Sequence, residues 1–291
     1  MTLPFPALGF TGGPLDRADH LRRDEAAIHA ARMHPSARFL ILHELKPLMN
    51  GEDLFWARRS EVPQGPQVFL GLDADGAPRF AVDGTPDDDL PGRPTDARQA
   101  GALLGDGRAA IIAQARSLLD WHRRHGFCAN CGAPTHMAKA GYSRLCGGCG
   151  AEHFPRVDPV VIMLAEKDGL ALVGRGPRFP TGFFSALAGF VEPGEALEEA
   201  VARELHEEAG LVTLSVRYVA SQPWPFPSSL MMGAIAAAQG HVLTLDTSEI
   251  EEARWVDREE MKAVLRGEGP WQAPPPLAIA HWLLRAWADG A

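Results

Sequence analysis

The chain has 291 residues, 46% apolar and 22% charged, the make-up of an ordinary globular protein and long enough for two domains. Its formal net charge of −9 excludes a broad basic footprint for duplex DNA or a membrane surface, though not a local basic patch. No apolar run reaches the roughly 18 residues of a membrane span, and the opening MTLPFPALGF has neither a charged start nor a signal-peptide core, so a cytoplasmic protein is expected.

In chain order, Asp16 to Ala31 reads as a short polar helix and Phe39 to Leu42 as a strand. Val68 to Leu72 and Phe80 to Val82 flank Asp73-Ala74-Asp75-Gly76, a hairpin signal with a glycine free to take positive φ. Pro86 to Pro94 is an acidic, proline-containing loop. Ala109 to Arg124 is predicted as a helix with Ile112, Ala115, Leu118, Leu119 and His122 near one face. Residues 1–125 are therefore expected to be a small α+β domain. Its histidines His29, His34 and His43 read as surface or packing residues.

All four cysteines follow at once, as Cys128-Ala-Asn-Cys131 and Cys146-Gly-Gly-Cys149, with 14 residues between the pairs. Disulfides or redox thiols are the alternatives. A cytosolic chain with every cysteine in two CxxC knuckles argues instead for a closed tetrahedral zinc site. Such a site has no open coordination position, so a structural zinc ribbon over residues 126–155 is expected.

From 156 to 291, short strands alternate with two helical segments. Val160 to Leu164, Gly169 to Gly174, Val216 to Ala220, Met231 to Ala238 and Ala253 to Val256 read as strands, Glu259 to Leu265 and Leu277 to Trp287 as helices. An α/β/α sandwich with a mixed sheet fits this pattern.

Within that segment lies GFVEPGEALEEAVARELHEEAGL, Gly189 to Leu211. Pro193 and Gly194 make a turn, Glu195, Glu198 and Glu199 load the helix start with negative charge, and Gly210 supplies the left-handed C-terminal cap. Leu197, Val201 and Leu205 form an apolar stripe. Beside it, Glu204, Glu207 and Glu208 share a face at helical spacing, with Arg203 adjacent. Crowded carboxylates repel one another unless a hard cation such as Mg2+ or Mn2+ sits among them; a solvated acidic face is the plainer alternative. The complete 23-residue spacing resembles the Nudix box at every defined position. The resemblance implies a divalent-metal-dependent hydrolase of nucleoside diphosphates linked to another group.

Further on, Ser221 to Ser229 reads SQPWPFPSS, three prolines stiffening the backbone around Trp224 and Phe226. A proline-rich loop pinned by two core aromatics would look the same. Together with the LLDWHRRHGFC run and the four-cysteine ribbon, however, it closely resembles the NADH pyrophosphatase family of Nudix hydrolases, over about residues 110 to 285. That resemblance implies Glu204, Glu208 and Glu249 as metal ligands, with Glu207 as a further ligand or base and the Ala188 carbonyl as one more. It implies a catalytic set of Glu207, Glu249 and Arg203, and a substrate site lined by Phe154, Phe190, Gln222, Pro223, Trp224, Pro225, Phe226, Pro227, Ser228, Ser229 and Ala280. Cys128, Cys131, Cys146 and Cys149 hold the zinc. Phe154 replaces the family's common tyrosine, and Gly141 falls where a member can carry a substrate-contacting glutamate.

The expected reaction is hydrolysis of the pyrophosphate of NADH or NAD to nicotinamide mononucleotide and AMP, extending to NAD caps on RNA. ADP-ribose or a diadenosine polyphosphate as preferred substrate is the alternative within the enzyme class. A non-catalytic zinc-ribbon ligand sensor is the alternative outside it. A homodimer is expected, and no membrane partner.

Overall fold

The computed structural model describes residues 8–290. They divide into two compact units. The first takes in the chain up to Val157 together with Trp224–Ser228; the second takes in Asp158–Pro223 and the chain from Ser229 onward.

The first unit carries a sheet whose central strands are Lys46–Asn50, Arg38–His43, Pro78–Asp83 and Gln67–Leu72, in that spatial order. Arg38–His43 runs parallel to Pro78–Asp83, which pairs antiparallel with Gln67–Leu72 across the expected hairpin, Gly76 taking φ +76°. Phe39, Ile41, Phe69, Phe80 and Val82 are buried together, and the Phe39 and Phe80 rings stack at 5.2 Å. The expected Asp16–Ala31 helix is two helices, Asp19–Arg22 and Glu25–Met33, because the Asp24 carboxylate accepts the Ala27 N–H and starts a new helix. Arg108–Arg124 is helical with Ile112, Ala115 and Leu119 buried, as its periodicity predicts. Lys46–Asn50 was not foreseen. It turns back on Arg38–His43 through Glu44 and Leu45, both at positive φ without being glycine, so no turn residue announces it.

The ribbon belongs to the same unit. Thr135–Ala138, Ser143–Cys146 and Glu152–His153 form a three-stranded antiparallel sheet.

The second unit is the expected sandwich. Its sheet runs Thr213–Trp224, Ser229–Ala238, Asp158–Lys167, Leu170–Arg175, Glu252–Val256, with Leu187–Phe190 paired to Asp158–Lys167. Asp158–Lys167 is parallel to Ser229–Ala238 and antiparallel to Leu170–Arg175, so the sheet is mixed. Alternate residues of that central strand face opposite layers, as the pleat requires. Ile162 and Leu164 pack with Leu283, Leu284 and Trp287 of the terminal helix Ile279–Asp289. Val161, Met163 and Ala165 pack with Val201 and Leu205 of the acidic helix Leu197–Ala209. Burying each of those two helix side chains is worth about 1.5–3 kcal/mol, which anchors one face of the helix and fixes the direction of the other. Among the described residues, no helix is long and apolar enough to cross a membrane.

Candidate active site

The acidic helix is defined at both ends. Before it, Glu195 N–H donates to the Glu192 carbonyl at 3.1 Å around Pro193 and Gly194, with Gly194 at φ +98°. This is the turn that a proline followed by glycine favours. Glu199 accepts the Ala196 N–H at 2.6 Å, satisfying one free donor at the helix start. At the far end Gly210 takes φ +69°, and its N–H bonds the helix carbonyls of Leu205 and His206.

With Val201 and Leu205 fully buried, the three glutamates separate. Glu204 is 8% exposed and Glu208 is 5% exposed, whereas the Glu207 side chain is 57% exposed. Glu204 and Glu208, one turn apart, point back toward the sheet. Glycine at 189 is required there, since a Cβ at that position would lie 1.8 Å from Cδ of Glu204. Arg203 ties the rim together. Its Nε and Nη2 form a fork on Glu195 at 2.6 and 2.9 Å, its Nη1 donates to both Glu204 and Glu207 at 2.9 Å, and Nη2 also donates to the Phe190 carbonyl. The Arg203 guanidinium, helped by the Glu192 N–H, holds the Glu195 carboxyl down at about 2. Arg203 thus touches carboxylates and a carbonyl, the geometry of a positioning residue. Glu195, read from the sequence as helix-start charge and as a defined position of the 23-residue pattern, is the carboxylate that the Arg203 fork grips.

The loop between the strands Ser229–Ala238 and Glu252–Val256 adds more negative charge. Thr244 N–H donates to the Ala209 carbonyl and Asp246 N–H to the Glu208 carbonyl, docking the loop on the helix end, and Ile250 N–H closes a turn on Asp246. Glu249 lies in that turn. Glu208 is pushed up to about 8, first by burial and then by the charges of Glu204, Glu249, Glu207 and Asp246. Glu204 is also raised, chiefly by burial. One oxygen of Glu208, Oε2, is buried without a hydrogen-bond partner among the described residues. An all-oxygen donor set under mutual repulsion, with an orphaned buried carboxylate oxygen, fits a hard divalent cation. Ala188, whose carbonyl is expected to join the set, lies next to Gly189 in the strand Leu187–Phe190, opposite Ile162.

The cysteines are arranged differently. Among the described residues, Cys128, Cys131, Cys146 and Cys149 are the one set of three or more His, Cys, Asp or Glu whose ligand atoms all lie within 4.8 Å of one another. Cys128 and Cys149 sulfurs are 3.7 Å apart and Cys131 and Cys146 sulfurs 3.4 Å apart, too far for a disulfide. Tetrahedral zinc with Zn–S of about 2.3 Å requires sulfurs about 3.8 Å apart, close to both values. The two knuckles repeat one geometry. Gly132 N–H bonds the Cys128 carbonyl and Gly150 N–H the Cys146 carbonyl, both glycines at positive φ, while Asn130 and Gly148 N–H groups reach the Cys128 and Cys146 sulfurs. The Cys149 N–H, and after it that of Gly148, hold the Cys146 thiol below its ordinary range. Behind the ribbon, His122 is buried; Arg144 donates to its Nδ1 at 3.1 Å, so Nε2 carries the proton given to the Gly141 carbonyl at 2.9 Å. Burial lowers this histidine to about 4.

Three family models match in succession: an NADH pyrophosphatase-like rudimentary NUDIX domain over residues 36–121, an NADH pyrophosphatase zinc ribbon domain over 123–154, and a NUDIX domain over 154–277. The NAD-capped RNA hydrolase NudC of Mycobacterium bovis is 39% identical over 292 aligned positions, covering 94% of this chain and 92% of that protein. The chain belongs to the NADH pyrophosphatase family of Nudix hydrolases. The human NAD-capped RNA hydrolase NUDT12 is 48% identical over 197 residues, which cover 63% of this chain but 42% of the human protein, so the match spans about two fifths of that longer relative. Among solved structures, a NUDIX hydrolase from Nitrosomonas europaea aligns with a TM-score of 0.46 at 21% identity, covering 56% of this chain and 90% of that one.

In this Nudix hydrolase the residues expected to line the substrate site fall in several places. Phe190 is 61% exposed at the end of its strand, in the same unit as the carboxylates. Gln222 is fully buried; its amide donates to the Leu277 carbonyl and accepts the Ile279 N–H, so its side chain staples the start of the terminal helix, where Ala280 is also buried. Pro223 is exposed at the end of that segment. Trp224, Pro225, Phe226, Pro227 and Ser228 group with the first unit. There the Trp224 and Phe226 rings meet each other and buried Phe10 edge to face, at 5.1 to 6.0 Å. The Arg98 guanidinium lies 3.8 Å from the Phe226 ring centre and that of Arg116 lies 4.7 Å away, and Arg116 also donates to the Pro225 carbonyl. The Ser228 hydroxyl donates to the Arg156 carbonyl, and Ser229 is buried. Phe154, in the first unit, is exposed with the Lys139 ammonium 5.4 Å from its ring. The arginine clasp on Phe226 had no signal in the sequence.

Proposed function

We propose that this chain hydrolyses the pyrophosphate bond of NADH and NAD, releasing AMP and nicotinamide mononucleotide, and removes the NAD cap from RNA. The observation that carries the hydrolysis is the buried Glu204–Glu208 pair with its unpartnered Oε2, crowded by Glu207 and Glu249. The names of the Mycobacterium bovis and human relatives support the choice of substrate. Glu204 and Glu208, with Glu249, Glu207 and the Ala188 carbonyl, would hold Mg2+ or Mn2+; when bound, the ion would neutralise the phosphates and lower the pKa of a coordinated water.

The side chains divide the remaining work. Arg203 fixes Glu204 and Glu207 in place through its fork on Glu195. Of the two candidate bases, Glu207 is ion-paired to Arg203, whereas the Glu249 side chain forms no ion pair or hydrogen bond among the described residues. Glu249 therefore takes the water proton. Attack at one phosphorus breaks the bridging P–O bond, and AMP and the mononucleotide leave. The exposed Phe190 ring, in the same unit as the carboxylates, suits a flat heterocycle.

We divide the chain into domains at 1–125, 126–155 and 156–291, and assign the enzyme to the cytoplasm as a homodimer. Light scattering checks the dimer. The substrate assignment is tested by quantifying AMP from NADH, NAD, ADP-ribose, a diadenosine polyphosphate and NAD-capped RNA with Mg2+ and Mn2+. NADH, NAD or the capped RNA should lead. A clear preference for either of the other two would overturn it.

A further inference from the structure

The first unit contains a cleft of about 710 Å³ that none of the preceding chemistry uses. It lies among the helices Asp19–Arg22 and Glu25–Met33, the segment Gly65 to Gln67, and the ribbon segment Met137 to Gly141. We propose that this cleft binds a free mononucleotide.

The lining carries three cations, Arg22, Arg32 and Lys139, and His29, against one carboxylate, Glu25. Two of the cations are engaged. Arg22 donates to the Arg17 carbonyl and lies 3.6 Å over the Tyr142 ring; the Lys139 ammonium is 2.7 Å from Glu152. The Arg32 guanidinium meets only an aromatic ring, its carbon 5.8 Å from the Phe80 ring centre. Among the described residues it forms no ion pair, and its Nε is buried with no hydrogen-bond partner. Gln67, also in the lining, has its Oε1 buried and equally without a hydrogen-bond partner among the described residues. One cleft thus holds an unmet cationic donor and an unmet neutral acceptor. Buried polar groups are normally paired, so both point to a ligand presenting an anion beside an N–H or O–H. A phosphate next to a ribose hydroxyl or a base amino group has that chemistry. Ile28, Pro66 and Met137 supply apolar wall for the base, and the volume is that of small-molecule sites, roughly 300–1,000 Å³.

The inference is independent of the hydrolytic reading. Its probe is AMP, measured by equilibrium dialysis against zinc-loaded Glu208→Gln protein in buffer free of Mg2+ and Mn2+, so that the carboxylate centre is disabled. One AMP per chain is expected. Arg32→Met and Gln67→Glu, each added to that background, should weaken it at least tenfold, and inorganic phosphate or adenosine alone should bind at least tenfold more weakly than AMP. Gln67→Glu keeps the volume of the side chain, and its zinc content and melting temperature report folding should Arg32→Met not fold. No AMP binding, or binding unchanged by Gln67→Glu in a folded, zinc-loaded protein, would overturn the proposal. So would capture of a short single-stranded oligonucleotide with no binding of AMP.

Discussion

The thiol cluster of the first unit and the carboxylate cluster of the second are both built from four side chains of one kind, yet they are arranged for opposite ends. The sulfurs converge within 4.8 Å of one another, held by backbone N–H groups from two matching knuckles. The carboxylates are near one another but not packed as tightly as the sulfurs. Two are buried, two stand at the surface, and one buried oxygen has no partner. A closed set spends all its ligands on the ion and stabilises a fold; an open set leaves a cation able to accept phosphate oxygens and water.

The largest difference should come from removing one ligand of each kind. Cys146→Ser is expected to abolish zinc binding and unfold the ribbon strands, because structural zinc in small ribbons supplies on the order of 10 kcal/mol or more of folding free energy. Zinc content and amide exchange over Thr135 to His153 check this; a protected ribbon without zinc would break the contrast. Glu208→Gln should do the reverse, lowering kcat on NADH on the order of 10²–10³-fold while the metal-free melting temperature holds near neutral pH, where burial keeps Glu208 protonated, and rises above pH 8, where a repelled buried charge is gone. Steady-state kinetics and a melt on the same sample separate the two effects.

A smaller effect probes how the acid pair is seated. Gly189→Ala places a methyl group where Glu204 now sits. It should cost about 1–3 kcal/mol in stability by overpacking and reduce kcat by displacing the carboxylate. Full activity in a folded Gly189→Ala protein would show that the position of Glu204 is not demanding.

The smallest effect is a pair of opposite pH slopes in protein free of Mg2+ and Mn2+. His122 is neutral when folded and lowered from 6.5 to about 4, so its contribution to the first unit is lost as pH falls from 6.5 toward 4. Glu208 is raised from 4.5 to about 8, so its contribution to the second unit is present below 4.5 and lost as pH rises through 8. Amide exchange followed separately in the two units should show protection changing in these opposite directions.

How much of this was legible depended on how local each signal is. The acidic helix was, because Val201 and Leu205, the carboxylates and Gly210 all repeat within one element. The thiol cluster was, because two short knuckles specify it. The hairpin through Glu44 and Leu45 was not, since neither residue marks a turn and Pro47 argues against a strand. The helix Ala97–Leu103 was passed over, although Asp96 caps it by accepting the N–H groups of Arg98 and Gln99. The fork between Arg203 and Glu195, and the arginines over Phe226, join residues that only the fold brings together.

The metal assignment is tested most directly by titrating Mn2+ into zinc-loaded protein and counting bound ions by electron paramagnetic resonance, for the wild type and for a Glu204→Gln/Glu208→Gln variant. The wild type should bind at least one ion per chain and the variant at least tenfold more weakly. Equal binding by both would mean that this helix does not hold the cation, and hydrolysis would need another origin.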